Sequence, residues 1–158
     1  MSIKTILVPT DFSEHAQSAL ETACDLAAQL GAKLYVLHVQ TGSALRVAVR
    51  EDLLDSASTD EELEKAVEQL IERRFSEALC GVDRTQIAIE NLSRRGDAGA
   101  VIVGYATEIG AHLVVVGRRG TGLIEDVRAA VIGSVTGSVI RKSPCPVLVV
   151  RREHKNRG

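Results

Sequence analysis

The segment from Ile3 to Val39 reads IKTILVPTDFSEHAQSALETACDLAAQLGAKLYVLHV, and it decides the fold class. A β-branched apolar run ends at Pro9, and Asp11 to Ser13 then supply the polar side chains that begin helices. Small residues at helical spacing follow until Gly31, and a second apolar strand begins at Lys33. Because a helix connects the two strands, the segment predicts a βαβ unit with parallel strands.

The rest of the chain continues this alternation of strands and helices. Ser58 and Thr59 each precede a glutamate by three residues, which predicts a capping box and a helix to about Leu79. The later predicted elements are a strand over Gln86–Asn91, a helix from Asp97 to about Ile109, a strand over His112–Val116, a helix over Ser134–Lys142 and a strand over Pro146–Val150. The pattern predicts one α/β domain over residues 1–158, with a doubly wound, five-stranded parallel sheet and helices on both faces.

The composition agrees with this fold and excludes several classes of function. The chain is 45% apolar but only 3% aromatic, which favours a parallel sheet with a core of Val, Leu, Ile and Ala. A net charge of -2 gives no electrostatic attraction to nucleic acid, so we expect no nucleic-acid partner. No apolar run approaches the roughly 18 residues that span a bilayer, and the start lacks the apolar region of a secretory signal. We therefore expect a cytoplasmic protein without membrane insertion.

The three cysteines form no CxxC pair and have no metal-binding spacing, so neither a disulfide framework nor a zinc site is predicted. Buried apolar thiols are the expectation for Cys24, Cys80 and Cys145.

A glycine-rich segment, GRRGTGLIEDVRAAVIGSVTGS over residues 117–138, follows the fourth predicted strand. Its glycines let backbone N–H groups face an anion, and Gly133-Ser134 opens a helix whose first amides are unpaired. The segment from Gly117 to Ser134 therefore predicts a phosphate site, with a plain flexible loop as the alternative. The patterns GxxxxGK[ST] and GxGxxG are absent, so neither a P-loop NTPase nor a dinucleotide-binding domain fits.

A second candidate lies at the carboxyl end of the first strand, where open α/β sheets bind ligands. The Asp11 carboxylate can accept hydrogen bonds from a ribose or a base edge, although a helix-capping role beside Ser13 is an equal alternative. His38, inside an apolar strand, is predicted to be a core residue. The histidines have no serine or cysteine placed for catalysis, so no catalytic residue is predicted.

Segments at both ends of the chain resemble the universal stress protein family. They are ILVPTDFSEHAQSAL at the start, LHV at the end of strand two, and VVVGRRGTGL, GSV and SPCPVLVV near the end. The resemblance implies a Rossmann-like sheet of strand order 3-2-1-4-5, similar to adenine nucleotide alpha hydrolases. The family's nucleotide-binding branch carries Gly, two residues, Gly, nine residues, then Gly with Ser or Thr. Here twelve residues, Thr121 to Ile132, separate Gly120 from Gly133, so this loop is three residues longer.

The resemblance also implies a ligand and a set of site residues. The ligand would be ATP, accompanied by Mg²⁺. Pro9, Thr10 and Asp11 would flank the adenine and ribose, and Val39 would meet the adenine through its backbone. The residues that would line the phosphates are Gly117, Arg119, Gly120, Gly133, Ser134, Val135 and Thr136. Val116 would also belong to the nucleotide-binding residues.

The last strand, Val147 to Val150, is apolar at consecutive positions and is predicted to form a sheet edge, which invites pairing. The resemblance implies a homodimer through this strand.

The function predicted from the sequence is a stress-response module that binds ATP for sensing or regulation. Two alternatives remain open. The longer loop motivates a nucleotide-free protein that acts through protein contacts. Weak ATP hydrolysis is the other, although no dedicated base is evident in the sequence.

Overall fold

A computed structural model describes residues 1–42, 59–118 and 132–152. The five strands are β1 (Thr5–Thr10), β2 (Lys33–Gln40), β3 (Ile89–Arg95), β4 (Leu113–Gly117) and β5 (Val147–Val150). They form one parallel sheet of order β3-β2-β1-β4-β5. The helices are α1 (Glu14–Leu30), α2 (Asp60–Ala78), α3 (Ala98–Glu108) and α4 (Ser134–Lys142). The predicted fold class and strand order are confirmed.

The sheet separates two apolar cores, because successive side chains of a strand point to opposite faces. In β1, Ile6 and Val8 pack with α1 and α2, whereas Leu7 packs with α3 and α4 on the other face. All three side chains are fully buried. Helices on both faces explain why the central strands are apolar at consecutive positions.

The predicted helix ends depend on local capping chemistry. Thr59 and Glu62 form the reciprocal hydrogen bonds of a capping box at the start of α2, as the sequence predicted. Gly31 ends α1 in a left-handed conformation with a φ of 62°. A side-chain N-cap such as that of Thr59 contributes about 1 kcal/mol to stability.

The boundaries of β3 differ most from the sequence prediction. The strand begins at Ile89 and continues to Arg95, where Gln86 to Asn91 had been expected. A turn in which the Asp83 carboxylate accepts hydrogen bonds from Thr85 and Gln86 delays its start. The polar residues at the end of β3 still pair with β2. Since β3 is an edge strand, their side chains can remain exposed to solvent.

The prediction of three buried thiols is wrong in part. Cys24 is buried, and burial raises its pKa to about 11, whereas Cys80 is exposed and Cys145 is half-buried. In the described ranges, none of the helices has the length and apolar character needed to cross a bilayer.

Candidate functional site

The turn after β1 is held by side chains that accept hydrogen bonds from its own backbone. The Phe12 N–H donates to Thr10 Oγ1 at 3.0 Å, and the Ser13 N–H donates to Asp11 Oδ1 at 3.0 Å. Ser13 is the N-cap of α1, and its hydroxyl accepts from the Ala16 N–H at 3.2 Å. Ser13 therefore caps α1, while the Asp11 side chain stabilises the turn that precedes the helix. The capping alternative for Asp11 is thus replaced by a turn-forming role.

Phe12 lies at the centre of an aromatic cluster that the sequence did not indicate. Its φ is 61°, in the left-handed region that side chains rarely adopt. The ring centroid lies 4.7 Å from that of His38 and 5.3 Å from that of Phe75, which it meets edge-on. The Arg74 guanidinium lies over the same ring at 5.9 Å. Contacts from β2 and α2 therefore hold the turn in place.

His38 is a satisfied core residue, as the sequence predicted. It is buried, and its Nδ1 lies 2.9 Å from the Thr10 carbonyl oxygen. Since a carbonyl only accepts, Nδ1 carries the proton of the neutral ring. Burial lowers the pKa of His38; the bond to Thr10 and the Asp11 charge act in the opposite direction, and Arg74 lowers the pKa further.

We expect the free energy of unfolding to fall when the pH drops through about 6.5, the ordinary pKa of histidine. The unfolded chain then takes up a proton at His38 that the folded chain resists, and the loss continues down to the lower folded pKa. Urea unfolding from about pH 7.5 to 5.5 measures this, with His38→Asn as the comparison because it cannot titrate. Equal pH slopes for both proteins would contradict the assignment to His38.

The end of β4 packs directly on the first turn of α1. A Cβ added to Gly117 would lie 2.5 Å from the His15 carbonyl oxygen, closer than side-chain atoms approach backbone. Gly117 thus has a packing reason to be glycine, in addition to the predicted approach of a ligand. The Nδ1 atom of His15 is itself buried and lacks a hydrogen-bond partner in the part of the chain that the structure describes.

The first turn of α4 is tied to the same strand end. The Thr136 hydroxyl donates to the Gly117 carbonyl at 2.8 Å, and the Gly133 N–H donates to the Arg118 carbonyl at 3.0 Å. Gly133 is the N-cap and supplies no side-chain cap, so the first-turn amides of α4 are not capped by it. These bonds bring the two ends of the glycine-rich segment together.

The structure describes ten of the twelve predicted site residues. Pro9 and Thr10 end β1, and Asp11 follows it. Val39 lies near the end of β2, and Val116 and Gly117 end β4. Gly133 is the N-cap of α4, whose first residues are Ser134, Val135 and Thr136. Arg119 and Gly120 lie outside the described residues. β1 lies between β2 and β4, where the strand order reverses, and this is where open α/β sheets bind ligands.

Helix α1 begins after the Asp11 turn and packs on Gly117, so it connects the two ends of the candidate site, which differ in chemistry. At one end, the Asp11 turn offers acceptors for hydroxyl or amino groups. At the other, the N-terminus of α4, whose N-cap Gly133 has no side chain to cap it, offers backbone amides and a positive dipole end, which favour an anion. A ligand that carries hydroxyl or amino groups in one part and an anionic group in another would match the two ends of the site.

Comparison with known proteins agrees with the fold. The sequence model described as the universal stress protein family matches residues 2–151. Universal stress protein Sll1654 from Synechocystis sp. is 35% identical over 147 residues, covering 93% of this chain and 85% of that protein.

Two solved structures share the architecture. Protein MJ0577 from Methanocaldococcus jannaschii superposes with a TM-score of 0.76 at 25% identity, covering 98% of this chain and all of that one. A universal stress protein in complex with cAMP gives a TM-score of 0.60 at 26% identity, covering 97% and 100% of the two chains. Because the family match covers almost the whole chain, this protein belongs to the universal stress protein family.

Proposed function

We propose that this protein binds ATP, accompanied by Mg²⁺, at the carboxyl ends of the parallel strands. We further propose that the bound nucleotide regulates a cytoplasmic stress response. The observation that carries the proposal is the bond from the Thr136 hydroxyl to the Gly117 carbonyl, which fixes the start of α4, with its N-cap Gly133, beside β4. The same end of β4 packs on the first turn of α1, which follows the Asp11 turn. The relative that binds cAMP supports an adenine nucleotide as the ligand class.

The described residues fit such a ligand in two further respects. The orphaned Nδ1 atom of His15 lies in the helical turn that packs on Gly117, so a polar group of a ligand could satisfy it. The glycine at position 117 keeps a side chain away from this junction. ATP would supply charged phosphates for the α4 amides and carry Mg²⁺ on those phosphates, while Thr10 and Asp11 would orient the ribose and base.

Mass spectrometry of molecules released from the purified protein, followed by calorimetric titration of the emptied protein with ATP and Mg²⁺, tests the proposal. We expect an adenine nucleotide to co-purify or ATP to bind with measurable heat, and GTP to bind more weakly. Neither a released nucleotide nor binding heat would favour the nucleotide-free alternative. The loop between Gly120 and Gly133, three residues longer than in the family's nucleotide-binding pattern, is the observation that favours that alternative.

We also propose that the protein forms a homodimer that pairs through β5. This strand is an edge of the sheet, and Leu148 on it is 38% exposed. An exposed apolar edge strand is a template for pairing with another strand, and natural proteins cover it or blunt it with charge. The four β5 residues, VLVV, carry no charge.

A further inference from the structure

The turn after β1 stores backbone strain at one residue. Among the described residues with a φ in the left-handed region, Phe12 is the one that is not glycine. Such a conformation persists where surrounding contacts hold it, and it concentrates at functional sites. Contacts with the surrounding residues must therefore stabilise this backbone conformation of Phe12.

Those contacts come from elements remote in sequence. The Phe12 ring packs against His38 of β2 and meets Phe75 of α2 edge-on, at centroid distances of 4.7 and 5.3 Å. Phe75 is 5% exposed, so this anchor belongs to the core. The Gln17 side-chain amide donates to the Ala78 carbonyl at 3.0 Å, which fixes the end of α2 against α1.

The two residues before Phe12 are proposed ligand contacts, and their side chains are bonded to the backbone on both sides of Phe12. The Phe12 N–H is bonded to Thr10 Oγ1, and the next N–H, of Ser13, is bonded to Asp11 Oδ1. His38 fixes the Thr10 carbonyl from the other side. A change in the Phe12 backbone would therefore redirect both Thr10 and Asp11.

We propose that Phe12 is a positioning residue of the nucleotide site. Its ring, clamped between β2 and α2, holds the left-handed turn that aims Thr10 and Asp11 at the ribose and base. Phe12 itself acts through these neighbours rather than by touching the ligand. The inference rests on the proposed function and adds to it a dependence of nucleotide affinity on α2, whose residues were not predicted to belong to the site.

Phe12→Gly tests the proposal, because glycine permits the left-handed φ but lacks the ring that holds the turn there, so the backbone is free to leave it. We expect the affinity for ATP to fall about tenfold, since a displaced acceptor loses its hydrogen bond. The affinity for adenosine should fall by the same factor, because the phosphate end is untouched. Phe12→Tyr should restore most of the affinity, since it retains the ring. Calorimetry at a temperature where thermal unfolding shows every variant folded gives these values.

A double-mutant cycle with Asp11→Ala separates positioning from general structure. Because Asp11 is one of the two residues that Phe12 is proposed to position, the loss caused by Phe12→Gly should be smaller in the Asp11→Ala background, and less than about twofold when Thr10→Ala is added. Equal losses in both backgrounds, or a loss of stability with unchanged affinity, would overturn the inference while leaving the nucleotide site intact. Failure of the wild-type protein to bind ATP would overturn the proposed function, and the inference with it.

Discussion

Replacing Gly120 and Gly133 together with valine should lower the affinity for ATP at least about 100-fold. Gly133 is buried at the N-cap of α4, directly before the amides proposed to hold the phosphates. A valine side chain there would enter the space that the anion needs. Losing two or more charge-assisted hydrogen bonds costs about 3 kcal/mol or more, which corresponds to that factor. Isothermal titration with ATP and Mg²⁺ measures the change.

The backbone of Gly133 permits this substitution. Gly133 has a φ of -57° and a ψ of 151°, values that valine adopts readily. Gly104→Val is the matched control, because Gly104 lies on the exposed side of α3 and an added Cβ there has open space. We expect the control to bind ATP as the wild type does. Retention of ATP by the double variant, within about threefold, would refute the placement of the phosphate site.

The local sequence predicted the architecture because the information needed for it is local. Strand and helix periodicities alternate along the chain, and capping signals such as Thr59 with Glu62 mark where helices begin. The βαβ rule then makes the strands parallel without any knowledge of distant contacts. The end of β3 was predicted wrongly because Ser93 to Arg95 look like loop residues, and pairing with β2 outweighs that local preference.

The positions of the candidate site residues were predictable to the extent that these residues lie at or directly after strand ends. Thr10 with Asp11 and Gly117 with Thr136 lie at the carboxyl edge where the alternation placed them. The aromatic cluster was not predictable, because the contact between Phe12 and Phe75 joins residues far apart in the chain. The segment around Phe12 contains no glycine to signal a left-handed turn, and the tertiary contacts that help to hold its φ of 61° cannot be read from the sequence.

Leu148→Lys should convert a homodimer into a monomer. Leu148 lies in the middle of the β5 edge and is already 38% exposed, so the isolated chain can accept a lysine there. In a dimer with two-fold symmetry each substitution counts twice, and two desolvated lysines would face an apolar partner strand. Losing the burial of two leucines alone weakens association by about 3 kcal/mol, or about 100-fold in the dissociation constant.

Light scattering during size-exclusion chromatography distinguishes the two states, because the chain has a mass of 16.9 kDa and a dimer has twice that mass. Leu30→Lys is the matched control, since Leu30 ends α1, is 48% exposed and lies away from the β5 edge. We expect this control to remain dimeric. A wild-type mass of one chain, or a Leu148→Lys variant that stays dimeric at low micromolar concentration, would show that β5 does not form the interface. The Val150 carbonyl of β5 accepts a hydrogen bond from the Arg118 N–H, next to Gly117. If pairing and nucleotide binding are linked through this bond, the loss of dimerisation should be accompanied by a measurable change in ATP affinity.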